Sequence, residues 1–210
     1  MTMRSTTTPT LIAALLVPCF AACGDDGGGA TTNELITTVI LTFTPAGGGT
    51  PIVAEFDDPD GDGGLPPTVD PVNLPPGDYA LAVRFQNRLE TPPEEITDEV
   101  RDESDQHLIL FTGSAVVGPA TTNTTGPLTQ AYADTDAKGL PIGLANTVTA
   151  GLGTGMLVVT LRHMPPEQPP QKGADTLALV KASGIDAIGG STDASVTFAV
   201  TAGAPAPALQ

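Results

Sequence analysis

The sequence predicts an all-β protein, an antiparallel β-sandwich of about eight strands interrupted by one short acidic helix. Three observations carry this expectation. Apolar residues recur at every second position through much of residues 34–202, the pattern of strands with one face buried and one in water. The chain holds 24 Gly and 21 Pro, which favours turns over long helices, because Pro removes a backbone donor and Gly costs order. Hydrophobic residues make up 40% of the chain but aromatics only 4%, with no Trp. The core must therefore come from Val, Leu, Ile and Ala, which suits a thin sandwich.

The strongest strand lies at 39–44, where Val39, Leu41 and Phe43 share one side and Thr42 and Thr44 the other. In 78–86, Tyr79, Leu81, Val83 and Phe85 oppose Arg84 and Gln86. Leu157, Val159 and Leu161 alternate with Val158, Thr160 and Arg162; Val196, Phe198 and Val200 alternate with Ser195, Thr197 and Thr201. Weaker strands are expected at 51–56, 107–112, 128–133 and 146–150. Before Tyr79, Pro76 and Gly77 predict a type II turn, with Gly77 at positive φ. The string LPPGDYALAV resembles the hairpin of carboxypeptidase-regulatory-like and other immunoglobulin-like sandwiches, which implies an immunoglobulin-like arrangement of the two sheets.

The helix is expected over about 92–104. Thr91-Pro92-Pro93-Glu94 matches a capping box with prolines in the first turn, and Ile96 and Val100 form an apolar stripe. Its other surface carries Glu94, Glu95, Asp98, Glu99, Asp102 and Glu103 beside Arg101 alone. That is the pattern of a solvated helix lying across the mouth of the sandwich.

The first 22 residues read as an export signal. Arg4 is the only charge before the apolar run Leu11 to Ala22, which at about 12 residues has the length of a signal-peptide core and not the roughly 20 of a membrane span. Phe20-Ala21-Ala22-Cys23 resembles the lipobox of bacterial lipoproteins, with Phe20 in place of the usual Leu. The resemblance implies cleavage before Cys23 and a lipid on its thiol. Pro18 directly before Cys19 makes that cysteine the poorer candidate. Residues 23–33, opening Gly24-Asp25-Asp26-Gly27-Gly28-Gly29, then form a flexible acidic tether. Gly24 leaves no aspartate after the anchoring cysteine, so the family's sorting rule implies the outer membrane over the inner. Cleavage as a plain secreted protein and pairing of the two cysteines are the alternatives. Residues 203–210 are expected to be a disordered tail.

A net charge of −16, from 24 acidic and 8 basic residues, makes nucleic acid an unsuitable partner, because phosphate binding needs Lys and Arg. The acidity fits either a well-solvated envelope protein or a cation binder.

Cation binding has one good candidate loop. Asp58, Asp60 and Asp62 with Gly63 reproduce the D-x-D-x-D-G opening of a Ca²⁺ loop, in which alternate acids converge on a hard ion. The match stops at Val69, where a bidentate Glu would stand, although Asp70 or the acidic helix could complete the set. Asp134 and Asp136 begin a degraded copy in which Lys138 replaces a third ligand. Solvated Asp/Gly turns explain both loops without a metal.

Enzyme signatures are scarce. The two histidines, His107 and His163, both fall at strand boundaries, where either would serve as a simple strand cap. The chain has no H-E-x-x-H, C-x-x-C, P-loop or G-x-S-x-G motif, and its six serines lie in no nucleophile setting. Two Tyr, six Phe and no Trp offer little for stacking a sugar.

Taken together, C-G-D-D at the start of the mature chain, ELITTVILTFTPAGGGTP, DPDGDGG, ETPPEEITDEVRDESDQH and YADTDAKGLPIGL resemble an uncharacterised family of small envelope lipoproteins of the Bacteroidetes and myxobacterial type. The resemblance carries no activity or binding residues with it; the residues themselves are read as a lipid-anchored, non-catalytic binding or structural module of the cell envelope, with an envelope protein or glycan as partner and Ca²⁺ as a stabilising ion. The alternative is a hydrolase or carbohydrate-active protein with its site on the loops at one end of the sandwich. A deep pocket joining His107 or His163 to several carboxylates would favour the enzyme; an open acidic loop would favour the module.

Overall fold

Thr38–Pro45 forms the first strand, β1, and pairs antiparallel with β5, Gly77–Asn87. Val39 lies opposite Phe85, Leu41 opposite Val83 and Phe43 opposite Leu81, so the apolar set of one strand meets that of the next on one face. All six side chains are buried. These coordinates come from a computed structural model that describes residues 34–61 and 63–203. The expected signal peptide, Cys23, the tether, Asp62 and residues 204–210 lie outside the described residues.

Two sheets build the molecule. The first runs β3 (Thr68–Val69), β2 (Ile52–Asp57), β1, β5, β10 (Ala145–Ala150), β9 (Leu128–Tyr132) and β8 (Val116–Val117), with β6 (Glu94–Glu95) added to the end of β5. The second runs β4 (Val72–Leu74), β12 (Ser191–Ala202), β11 (Gly153–His163) and β7 (His107–Thr112). Every strand expected from period-two alternation is present. Their inner faces share one core, in which Leu41, Phe43 and Phe85 of the first sheet join Phe111, Leu157 and Phe198 of the second. Each such side chain contributes about 1.5–3 kcal/mol of burial. Tyr132 ties the layers by donating its hydroxyl to the Ile109 carbonyl at 2.8 Å.

The sandwich departs from the sequence expectation in four places. β4 pairs with β12, and β8 with β9, in parallel, so the sheets are not wholly antiparallel. Gly77 opens β5 at a positive φ of 156°, as expected, but closes no type II turn, because the segment 75–76 carries the chain from the second sheet to the first. The acidic helix, α1, covers only Ile96–Asp102 and has no side-chain cap. Its expected first turn is taken by β6, whose Glu94 and Glu95 pair with Asn87 and Gln86. Ile96 and Val100 still point into the core, so the helix covers one end of the sandwich.

The fourth departure is a second helix, α2, at Thr176–Ser183, ended by Gly184 at φ 84° with its N–H bonded to the Val180 carbonyl. Together with a 3₁₀ turn at Ile185–Ala187 it covers the outer face of the second sheet. Five residues of β7, His107 to Phe111, are therefore buried in succession. Ile109 and Phe111 face the main core, while Leu108 and Leu110 pack with Met164, Val180 and Ile188 in a smaller outer core. Among the described residues, no helix is long and apolar enough to cross a membrane.

Candidate metal centre

The first acidic loop closes on itself. Asp58 Oδ1 accepts the Asp60 N–H at 3.4 Å, and Asp60 Oδ2 accepts the Leu65 N–H at 3.0 Å, the local bonding that makes Asp a turn residue. Asp57 is taken up by Thr38 and Arg88, at 2.9 and 3.1 Å. Asp70 lies across β2 and accepts the Glu55 N–H at 3.2 Å. Asp60 Oδ1 is buried without a hydrogen-bond partner.

In the second loop both acids hold backbone. Asp134 accepts the N–H groups of Gly143 and Ala145 at 2.8 and 2.9 Å. Asp136 Oδ1 accepts those of Lys138 and Leu140, both at 2.9 Å. The cation against Asp136 is the Lys172 ammonium, 3.0 Å from Oδ2. Burial alone would raise the Asp136 carboxyl, but these donors together hold it below the usual carboxylate range.

The histidines, separate in sequence, meet at the end of the sandwich that α1 covers. His107 is the first residue of β7 and His163 the last of β11, and the antiparallel register sets them opposite each other. Their rings stack at 4.5 Å with planes 14° apart. His107 Nδ1 lies 3.1 Å from the carbonyl oxygen of Glu103, just past α1. A carbonyl only accepts, so Nδ1 carries the proton and the lone pair stands on Nε2. That Nε2 is buried without a hydrogen bond.

Two carboxylates complete the cluster. Glu103 Oε2 lies 3.8 Å from His163 Nε2, and one ligand atom from each of Glu103, His107 and His163 falls within 4.8 Å of the others. Asp193 Oδ2 lies 4.0 Å from His107 Nε2, with its side chain fully out of solvent. A β-bulge aims it there. Leu161 pairs with Ala194 and Arg162 with Thr192, so Asp193 is the extra residue of the strand, a device that redirects a side chain. Arg162 fixes the bulge by donating to the Gly189 and Gly190 carbonyls, at 2.9 and 2.8 Å, and to Thr192 Oγ1 at 2.8 Å.

Comparison with known proteins found no matching family model, no matching curated protein and no matching solved structure.

Burial sets the charge states here. It pushes the His107 imidazole down to about 4, with neighbouring His163 adding to the effect, so His107 is neutral at pH 7. Asp193 is raised to about 6, again by burial. Glu34 is raised to about 7 by burial and by sharing a hydrogen bond with Glu99. The mouth of the sandwich thus gathers the neutral His107 imidazole, the His163 ring and several carboxyl oxygens.

His107 and His163 meet two carboxylates, with His107 only 1% exposed, and neither ring lines the surface cavity between the second sheet and α2. That cavity, about 570 Å³, lies on the outer face of the second sheet between Leu110, Val158, Thr160, Val180, Lys181 and Ser195. Sequence reasoning placed each histidine at a strand end and went no further. The available signal was that a first-residue His and a last-residue His become cross-strand neighbours if their strands pair antiparallel.

Proposed function

We propose that this chain is a lipoprotein of the bacterial cell envelope, cut before Cys23, anchored by a lipid there, and directed to the outer membrane. Its immunoglobulin-like sandwich acts as a non-catalytic binding or structural module for an envelope protein or glycan. The observation that carries this reading is the pattern Phe20-Ala21-Ala22-Cys23 closing a short apolar run and followed at once by a Gly- and Asp-rich tether. Support for the immunoglobulin-like form comes from Tyr79, whose hydroxyl donates to the Pro75 carbonyl at 2.7 Å, as corner tyrosines of such domains do. The burial of His107 supports a module over a hydrolase, because a buried imidazole offers no proton relay to a bound substrate.

Mass spectrometry of the native protein tests the anchor. The expected result is an acylated cysteine as the first residue, and a Cys23→Ser chain that is neither acylated nor held in the membrane fraction. An intact amino terminus with residues 1–22 attached would overturn it. Ca²⁺ at the first acidic loop belongs to the same reading and rests on the unpartnered Asp60 Oδ1. Ca²⁺ bound only by the native chain must raise its melting temperature relative to EDTA; an unchanged melting temperature removes the ion from the proposal.

A further inference from the structure

Two buried polar atoms face each other at the mouth of the sandwich with no hydrogen-bond partner, His107 Nε2 and Asp193 Oδ2, 4.0 Å apart. Beside them, one ligand atom from each of Glu103, His107 and His163 lies within 4.8 Å of the others. Unsatisfied buried polar atoms are rare and call for an explanation. A cation between them supplies one, because an imidazole lone pair and a carboxylate oxygen are both electron-pair donors.

We propose that His107, His163, Glu103 and Asp193 form a site for one Zn²⁺ ion, which pins the end of α1 to β7, β11 and β12. This goes beyond the anchoring and binding reading above and does not depend on it.

The donor set decides the metal class. Ca²⁺ and Mg²⁺ take oxygens, whereas two imidazole nitrogens with carboxylates suit Zn²⁺ and its first-row neighbours. A tetrahedral site with bonds of about 2.0–2.2 Å places its donor atoms about 3.2–3.5 Å apart. Here His163 Nε2 to Glu103 Oε2 is 3.8 Å and His107 Nε2 to Asp193 Oδ2 is 4.0 Å. Both spacings exceed the tetrahedral one, so the four side chains must draw together on binding the ion.

The supporting contacts are those a zinc site uses. A ligating His typically donates its other N–H to a carbonyl, which fixes the tautomer and frees the second nitrogen; His107 does this to Glu103. The bulge at Asp193 supplies an acid on a strand whose register would otherwise present Ala194 and Thr192. Glu103, with its side chain 42% exposed, opens the route from solvent, while the Asp193 side chain behind it has no exposure. The binding energy is structural, because the four ligands come from one helix end and three strands.

The test uses the full chain, purified without a polyhistidine tag, and Zn²⁺ as the probe. Metal analysis after dialysis is expected to give one zinc per chain, and Zn²⁺ to raise the melting temperature reversibly to EDTA. Co²⁺ in its place should give the intense visible bands of a tetrahedral site. Glu103→Gln keeps the carbonyl that orients His107 and leaves the metal-free melting temperature unchanged, yet should weaken Zn²⁺ at least about 10-fold. His163→Gln should abolish the Co²⁺ bands. Sub-stoichiometric zinc with no thermal shift would overturn the proposal. So would binding that survives unchanged in Glu103→Gln, a variant with a half-exposed side chain that keeps the test valid should His163→Gln fail to fold.

Discussion

Lys172 places its ammonium 3.0 Å from Asp136 Oδ2, with the two side chains only 1% and 0% exposed. The same ammonium donates to the Ser104 carbonyl at 2.8 Å. One lysine therefore joins the 134–140 loop, the segment after β11 and the stretch between α1 and β7. Burial lowers the Lys172 ammonium against the pull of Asp136.

Lys172→Met should cost about 3–5 kcal/mol in urea unfolding, because it strands a buried carboxylate. The double variant Lys172→Met with Asp136→Asn should recover a large part of that loss. Equal costs for single and double variants would show that the pair is not coupled.

Glu34 gives the pH dependence a sign. Its folded value, about 7, stands above the ordinary 4.5, so the native state holds a proton that the unfolded chain has released. The stability this supplies is complete below 4.5 and is lost as pH rises through about 7. Glu34→Gln should therefore gain on the parent protein as pH climbs from 4.5 to 8, measured as the difference in melting temperature. His107 works in the other direction, and the substitution leaves it alone.

Gly190 sits at φ 81°, and a Cβ there would overlap the carbonyl oxygen of His163. Gly190→Ala should destabilise the fold by more than about 1 kcal/mol and shift the ring resonances of both histidines. A neutral substitution would show that the bulge does not need this glycine.

The outer core has its own weight in the fold. Leu110→Ala removes a side chain that is 1% exposed between β7 and α2, and should cost about 2–5 kcal/mol. Faster hydrogen exchange confined to α2 would locate the loss there.

Strands such as β5, β10 and β12 are legible in the sequence because they alternate over five or more residues with one face buried, whereas β7, buried on both faces, gives a weaker signal. β3, β6 and β8 are two residues long, too short to show any period. α2 escapes notice because Leu179 is exposed, which blurs the apolar stripe that marks a helix. The capping box read at Thr91 does not form: Glu94 and Glu95 pair with Asn87 and Gln86 instead, and the helix starts at Ile96 without a side-chain cap. Of the candidate site, strand ends were readable and convergence was not, because Asp193 reaches the histidines only through a bulge.

β12 is one of the two inner strands of the second sheet, and it alone joins β4 to β11. Val72 finds its partner only at Val200. Until residues 191–202 have been synthesised, β4 has no strand to pair with and β11 has β7 alone, so the layer cannot close. Such long-range closure is slow to nucleate. Under the export proposed above, in which the chain crosses in extended form, that delay would defer compaction until the last strand is available on the far side.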